Sequence, residues 1–219
     1  MLFRSGSPLS PVLFLVFIND LLMDLDLVEG SSAQGYADDV TAWWTVRATT
    51  CRDDVGRQVS AQISRWAHRW KAVFNPAKCF VMGIDRFRVD VPPPAFLLDE
   101  TPVSCVPYMR CLGVWIDSRL SWHTHVTRVS ESALARLRAI YRGVGTLWGL
   151  HPMVIRRFVE ATVLPHLFYA APVWCTAMGS EWARETLDRV IRQCAMDTMG
   201  LFRTVHGETA RFLVGLLPA

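Results

Sequence analysis

The chain has 219 residues, enough for one large domain or two small ones with a real core. Hydrophobic residues make up 51% of it and charged residues 20%, which excludes a disordered tail, while a net charge of +3 says little about partners. The longest uninterrupted apolar run, Val12 to Ile18, is too short for a bilayer span of about 20 residues. No basic leader with a small-residue cleavage site opens the chain, so an unsecreted, intracellular protein (nuclear, cytoplasmic or both) with no membrane partner is expected. The six cysteines (51, 79, 105, 111, 175 and 194) include no C-x-x-C pair. They are expected to be reduced, mostly buried thiols and not a zinc site or a disulfide framework.

In chain order, Ser7-Pro8 predicts the start of a helix over residues 7–27, with Ser7 as N-cap and the apolar run buried. Residues 33–45 read as a hairpin with its turn at Asp38-Asp39. From Thr50 to Phe74, Val55, Val59, Ile63, Trp66, Trp70 and Val73 form one stripe of an amphipathic helix, stopped by Asn75-Pro76. The same periodicity assigns the Trp66/Trp70 pair to the core, and Trp43-Trp44 with them. Short strands follow near 79–84, 95–98, 102–106 and 109–116, interrupted at Pro92-Pro93-Pro94. After Ser118 helical patterns dominate, at about 121–142, 151–164, 180–199 and 206–215. No internal repeat is visible. The expected class is α+β: a mixed part to Asp117, then all helix.

Two adjacent carboxylates at a hairpin turn, Asp38 and Asp39, repel each other and add little to stability. They suit a divalent cation, because Mg²⁺ takes hard oxygen ligands, typically one or two carboxylates with phosphates and waters. An ordinary turn-forming Asp pair is the competing reading of the same residues. Arg119, Arg128, Arg136, Arg138, Arg142, Arg156 and Arg157 face one acidic residue, Glu131, between 119 and 157. Such an excess reads either as a face that tracks phosphates or as a solvated helix face. His123-x-His125 has no acidic or Cys partner at ligand spacing and reads as polar helix-start residues, not metal ligands.

Taken in order, these segments resemble the reverse transcriptases of non-LTR retrotransposons. Gly6-Ser7-Pro8-Leu9-Ser10-Pro11 with Ile18-Asn19-Asp20-Leu21 is similar to motif B, and Tyr36-Ala37-Asp38-Asp39 to motif C. The Trp66 helix ending in Asn75-Pro76-Ala77-Lys78 is similar to motif D, and Tyr108 to Val114 with Asp117 to motif E. Leu120-Ser121-Trp122-x-x-His125 and the segment from Pro165 to Trp174 look like the thumb of these elements.

The resemblance implies a partial palm over 1–117 (an antiparallel sheet with the YADD hairpin packed on helices), a helical thumb over 118–178 and a helical connector over 179–219. It implies an RNA-directed DNA polymerase using two Mg²⁺ ions, with Mn²⁺ as a substitute, on an RNA template, a DNA primer and deoxynucleotides. Asp38 and Asp39 would hold metal, and Lys78 would be a general acid toward pyrophosphate or else a solvated charge. Gly6, Ser7, Tyr36, Leu112 and Gly113 would meet nucleotide or primer. Arg128, Arg136, Arg138 and Arg142 would hold the nucleic-acid backbone.

Two features depart from the family. Ser5 stands where its motif B carries Gln, and the family's other metal-binding aspartate and its fingers lie upstream of motif B. The chain by itself is therefore expected to be an inactive fragment, completed by an N-terminal segment. A non-catalytic nucleic-acid-binding remnant is the alternative. A group II intron-type polymerase and an expressed pseudogene product are the lesser readings.

Overall fold

The structure, a computed structural model, describes residues 9–45, 52–84, 96–144, 150–202 and 204–215. The chain divides into two compact units: residues 1–83 with 87–107, and 84–86 with 108–219.

In the first unit, α1 (Ser10–Asp26) follows Leu9 and carries Pro11 in its first turn, where the missing N–H costs nothing. Ser7, Pro8 and the Gly6-Ser7 site lie outside the described residues. Ile18, Leu21 and Leu25 are buried, but Leu9, Val12, Leu13, Leu15 and Val16 are exposed. The helix is thus not buried all round as expected. One hairpin and one helix, β1–β2 and α2, cover a single face of it.

β1 (Ser31–Tyr36) pairs antiparallel with β2 (Asp39–Trp44), Tyr36 opposite Asp39 and Gly35 opposite Val40. Opposed residues share a face. Ala33, Val40, Ala42 and Trp44 pack toward the core, and a Cβ on Gly35 would stand 3.3 Å from Leu22 Cδ1 of α1. Two bonds hang the strand from the end of α1: the Ala33 amide donates to Asp26 Oδ1 (2.9 Å), and the Ser31 hydroxyl to the Leu25 carbonyl (2.6 Å).

α2 (Arg52–Trp70) buries Val55, Val59 and Trp66. It stops at Trp70, ahead of Asn75-Pro76, because Lys71 takes φ +52° and the Ala72 amide closes back on the Ala67 carbonyl (2.9 Å). Val73, expected on the apolar stripe, is therefore exposed. Trp70 and Trp43 are also exposed, against the expectation that they are core, whereas Trp66 is buried and Trp44 stacks on Phe96 (5.7 Å). A 3₁₀ turn (Pro76–Lys78) precedes β3 (Phe80–Val81), β4 (Leu97–Leu98), β5 (Thr101–Pro102) and β6 (Ser104–Cys105). Among the described residues the strands form four two-stranded sheets, with β3–β6 parallel, where one antiparallel sheet was expected. With strands this short, each pair is held by its neighbouring helix or loop instead of by a shared ladder. The Ser60 hydroxyl of α2, for example, donates to the Leu97 carbonyl.

The second unit opens with β7 (Tyr108–Cys111) and β8 (Val114–Asp117), a hairpin where a single strand was expected. Leu112 (φ +45°) and Gly113 (φ +89°) reverse the chain there. The described elements that follow are α3 (His123–Val144), α4 (Pro152–Phe158), a π-helical turn (Val159–Val163), α5 (Leu164–Leu167), α6 (Ala171–Trp174), a 3₁₀ segment (Cys175–Gly179), α7 (Glu181–Met199) and α8 (Gly207–Val214). The π turn lies just before Pro165, whose ring clashes with the carbonyl four residues back in a regular α-helix. Beyond Asp117 every described element is helical, yet the hairpin of 108–117 packs with those helices and shares their compact unit.

The core of this unit runs through Val126, Ala133 and Leu137 of α3, Val159, Val163, Leu167 and Trp174, and Leu187, Val190, Ile191 and Cys194 of α7. Of the five described cysteines, all free, only Cys194 is buried; Cys105 and Cys175 are exposed, because they lie on a short edge strand and a surface turn. Among the described residues no helix is long and apolar enough to cross a membrane.

Leu187 is fully buried and Phe212 of α8 is 86% exposed. Leu187→Ala should cost about 2–5 kcal/mol of stability through the cavity it leaves. Phe212→Ser should stay within about 0.5 kcal/mol. Urea denaturation midpoints measure both, and equal midpoints would contradict this core.

Candidate active site and nucleic-acid face

The YADD hairpin turns at Ala37-Asp38, one residue ahead of the expected Asp38-Asp39, with Asp39 already paired in β2. Ala37 takes φ +52°. A left-handed residue with a Cβ costs about 1–2 kcal/mol, and a glycine there would avoid it. Tyr36 and Asp39 share the face turned away from α1, and Tyr36, Asp38 and Asp39 are all exposed. Among the described residues neither carboxylate has a side-chain hydrogen-bond or ion-pair partner, so their oxygens are open to an incoming cation.

On α1, Asp20 is exposed, while its other two carboxylates are engaged. Asp26 accepts from the Ala33 amide, and Asp24 lies 3.8 Å from Arg69 of α2. Among the described residues no three His, Cys, Asp or Glu side chains converge. Asp38 and Asp39 are therefore chemically suited to Mg²⁺ as two hard oxygen ligands, and the described residues add no third. Lys78, at the end of the 3₁₀ turn capped by Asn75 Oδ1 on the Ala77 amide (3.1 Å), is exposed. Among the described residues no bond or ion pair joins it to the aspartates.

In the second unit the β7–β8 hairpin is fastened at its base, middle and tip. At the base Asp117 accepts from the backbone amides of Arg119 (3.1 Å), Ser121 (3.0 Å) and Trp122 (2.8 Å). Desolvation pushes its carboxyl up, but these amide bonds outweigh it and hold the group below the usual carboxylate range. In the middle the Trp115 amide donates to Nδ1 of His125 (3.2 Å), which is wholly buried beside Trp174. His125 lies in the first turn of α3, as its polar helix-start reading expects, and α3 turns it inward as a structural acceptor. His123 stacks on Trp182 (4.0 Å). At the tip the Tyr169 hydroxyl donates to the Leu112 carbonyl (3.0 Å).

One face of this hairpin carries Arg110 and Trp115, directly opposed. Arg128 of α3 lies over the Trp115 ring (4.6 Å) and Tyr108 meets its edge (6.0 Å). Burial, then the charges of Arg136 and Arg110, depress the pKa of His166, whose Nε2 is 2.9 Å from the Ser132 hydroxyl. Arg110, Arg136 and His166 therefore share one electropositive neighbourhood. Arg128, Arg138 and Arg142 fall within about 80° of the α3 surface at about 100° per residue, while Arg136 falls on its flank. Arg138 and Arg142 also line an open cavity with Tyr141 and Asp197. Arg110, His166 and Tyr169 are additions that the charge count of α3 could not supply, since they come from β7, from α5 and from the α5–α6 connection.

Comparison with known proteins bears on these residues. The chain is 26% identical over 184 residues, 82% of its length, to "Probable RNA-directed DNA polymerase from transposon X-element" of Drosophila melanogaster. Over 213 residues, 97% of its length, it is 22% identical to "Retrovirus-related Pol polyprotein from type-1 retrotransposable element R1" of Bradysia coprophila. The R1 polyprotein of Nasonia vitripennis is 25% identical over 123 residues, 54% of this chain and 36% of that protein. The chain is a homologue of non-LTR retrotransposon reverse transcriptases. It spans about a fifth of the length of the Drosophila and Bradysia relatives (20% and 21%). No protein-family model matches this non-LTR homologue, and no solved structure matches it.

His125 supplies a pH test. Burial, then the charge of His166, holds its pKa below the usual value of about 6.5. A depressed pKa means the unfolded chain binds the proton more readily. The stabilisation is complete above about pH 6.5 and is lost as pH falls toward the folded value. The melting temperature should drop from pH 7.5 to 5, and His125→Gln should flatten that slope. A melting temperature independent of pH across this window would contradict the arrangement.

Proposed function

We infer that the chain is the palm-and-thumb portion of an RNA-directed DNA polymerase that extends a DNA primer on an RNA template. The observation that carries this reading is the open carboxylate pair, Asp38 and Asp39, on the free face of a hairpin backed by α1, in a homologue of such polymerases. The two aspartates would hold Mg²⁺, with Asp38 at the turn and Asp39 paired beside Tyr36. Divalent ions in such sites activate the primer hydroxyl and neutralise charge on the transferred phosphate.

The chain's own residues bind and position. Tyr36 would stand against the primer end, and Leu112 and Gly113 would meet the primer strand. Arg128, Arg136, Arg138 and Arg142, joined by Arg110, would neutralise phosphates. Lys78 would donate a proton to departing pyrophosphate, and Gly6 and Ser7 would admit the nucleotide. The site of action is inside the cell, in nucleus, cytoplasm or both.

Because the described residues bring no third carboxylate to Asp38 and Asp39, these 219 residues by themselves should hold the ion weakly and extend poorly. With a primed RNA template, deoxynucleotides and Mg²⁺, no extension is expected. Mn²⁺ should bind weakly by paramagnetic resonance and lose that binding in Asp38→Ala or Asp39→Ala. Robust Asp38-dependent extension would show that the chain is sufficient by itself. Mn²⁺ binding unchanged in both variants would remove the aspartates from the site.

The arginine-rich surface of α3 with Arg110 supports a second reading, a non-catalytic module that holds an RNA–DNA duplex. Arg138→Ala with Arg142→Ala should weaken duplex binding. It should also reduce the slope of log affinity against log salt by roughly 0.9 for each phosphate that is no longer neutralised. An unchanged slope would take both arginines off the backbone. Binding that persists in the aspartate variants without any extension, even when an N-terminal fingers segment is supplied, favours the binding module.

A further inference from the structure

We propose that Tyr169 is a positioning residue that clamps the strained Leu112-Gly113 tip, so that the Leu112 side chain is presented outward to the end of the primer strand. This rests on the polymerase reading of the β7–β8 hairpin and adds to it a residue from the α5–α6 connection.

Three observations converge on the tip. Both of its residues are left-handed, Leu112 at φ +45° and Gly113 at φ +89°, in a two-residue loop closed by the Cys111–Val114 pair. Loops of this kind favour Asn-Gly, because the first position must also tolerate positive φ. Leucine does so poorly, and burial does not compensate here, since the residue is 48% exposed. An apolar side chain in an unfavourable backbone and open to solvent is the pattern expected when the side chain itself is wanted at that point.

The second observation is the clamp. Tyr169 Oη donates to the Leu112 carbonyl (3.0 Å), while its ring lies so close to Gly113 that a Cβ there would stand 3.0 Å from Cε1. The glycine thus serves the ring's approach as well as the turn. The third is the anchoring of Tyr169 itself. Its carbonyl accepts from Nε1 of the buried Trp174 (2.9 Å), and the next residue, Ala170, is left-handed at φ +53° and opens α6. A tyrosine fixed by the core through its backbone therefore reaches out to fix the hairpin tip through its hydroxyl. Tyr169 is itself 51% exposed, so its ring stands at the surface that Leu112 occupies.

Tyr169→Phe removes the hydroxyl and keeps the ring. Amide hydrogen exchange at Cys111 and Val114, the pair that closes the loop, should rise several-fold in this variant with the melting temperature unchanged. Unchanged exchange would overturn the clamp. Affinity is then compared for an RNA template carrying a recessed DNA 3′ end and for a blunt RNA–DNA duplex of equal length. The wild-type chain should prefer the recessed end several-fold, and Tyr169→Phe should lose that preference while binding the blunt duplex equally. If the wild type discriminates and Tyr169→Phe discriminates as well, the positioning role fails although the polymerase reading survives. If the wild type shows no preference, the primer-end reading fails and the positioning role with it, whatever the exchange shows.

Discussion

A two-residue β-hairpin demands a left-handed backbone at its tip, and in both hairpins that carry the candidate chemistry this demand falls on a residue with a side chain. Ala37 meets it beside Asp38, and Leu112 meets it beside Gly113. A bare hairpin would relax such a tip into a longer loop, so each must be held by what lies behind it. In the first unit the holder is α1, against which Ala33, Val40 and Ala42 pack and over which only a glycine at position 35 sits this closely. In the second it is α3 and the α5–α6 connection, acting through His125, Asp117 and Tyr169. The open carboxylates at one tip and the exposed leucine at the other depend on that support.

The two supports differ in kind. α1 holds its hairpin by apolar contact and by bonds at its C-terminal end, and leaves Leu9, Val12, Leu13, Leu15 and Val16 exposed on its other side. The β7–β8 hairpin is instead gripped by directed hydrogen bonds at base, middle and tip. Directed bonds fix a tip in angle as well as depth, which is what a surface that meets a strand end requires. The buried neutral His125 makes this grip sensitive to acid, since protonation would remove the acceptor for the Trp115 amide and leave a charge in the core.

Much of the helical framework was legible in the chain. The stripes of α3, α7 and α8 and the glycines at 200 and 215, both left-handed C-caps, set those helices within about two residues. The Asp38-Asp39 pair stood out because adjacent carboxylates repel and because the order of the neighbouring segments resembles that of reverse transcriptases. Three of the misreadings share one cause. Period and turn residues report local preference, and at Lys71, Ala37 and Leu112 a residue with ordinary preferences was forced into a left-handed conformation by longer-range packing. Hence α2 ended early, the YADD turn moved one residue ahead, and the segment 109–116 folded back as a hairpin instead of running straight. Trp70 lies at helical spacing from the buried Trp66 but at the very end of α2, and Trp43 lies opposite Ser32 on the hairpin face turned away from the core.

From the sequence alone came the mixed α and β organisation, the helical second half, the likeness to reverse transcriptases and the Asp38-Asp39 pair as a candidate site. Those follow from spacing along the chain, which is a one-dimensional property. Only the tertiary structure decided that Asp38 and Asp39 stand open while Asp24 and Asp26 are engaged, that His125 is a buried acceptor, and that Arg110 joins the arginine-rich surface of α3. It alone brought Tyr169 to Leu112 from 57 residues away. Partners so distant in sequence meet through the packing of a shared core, and no local pattern encodes that meeting.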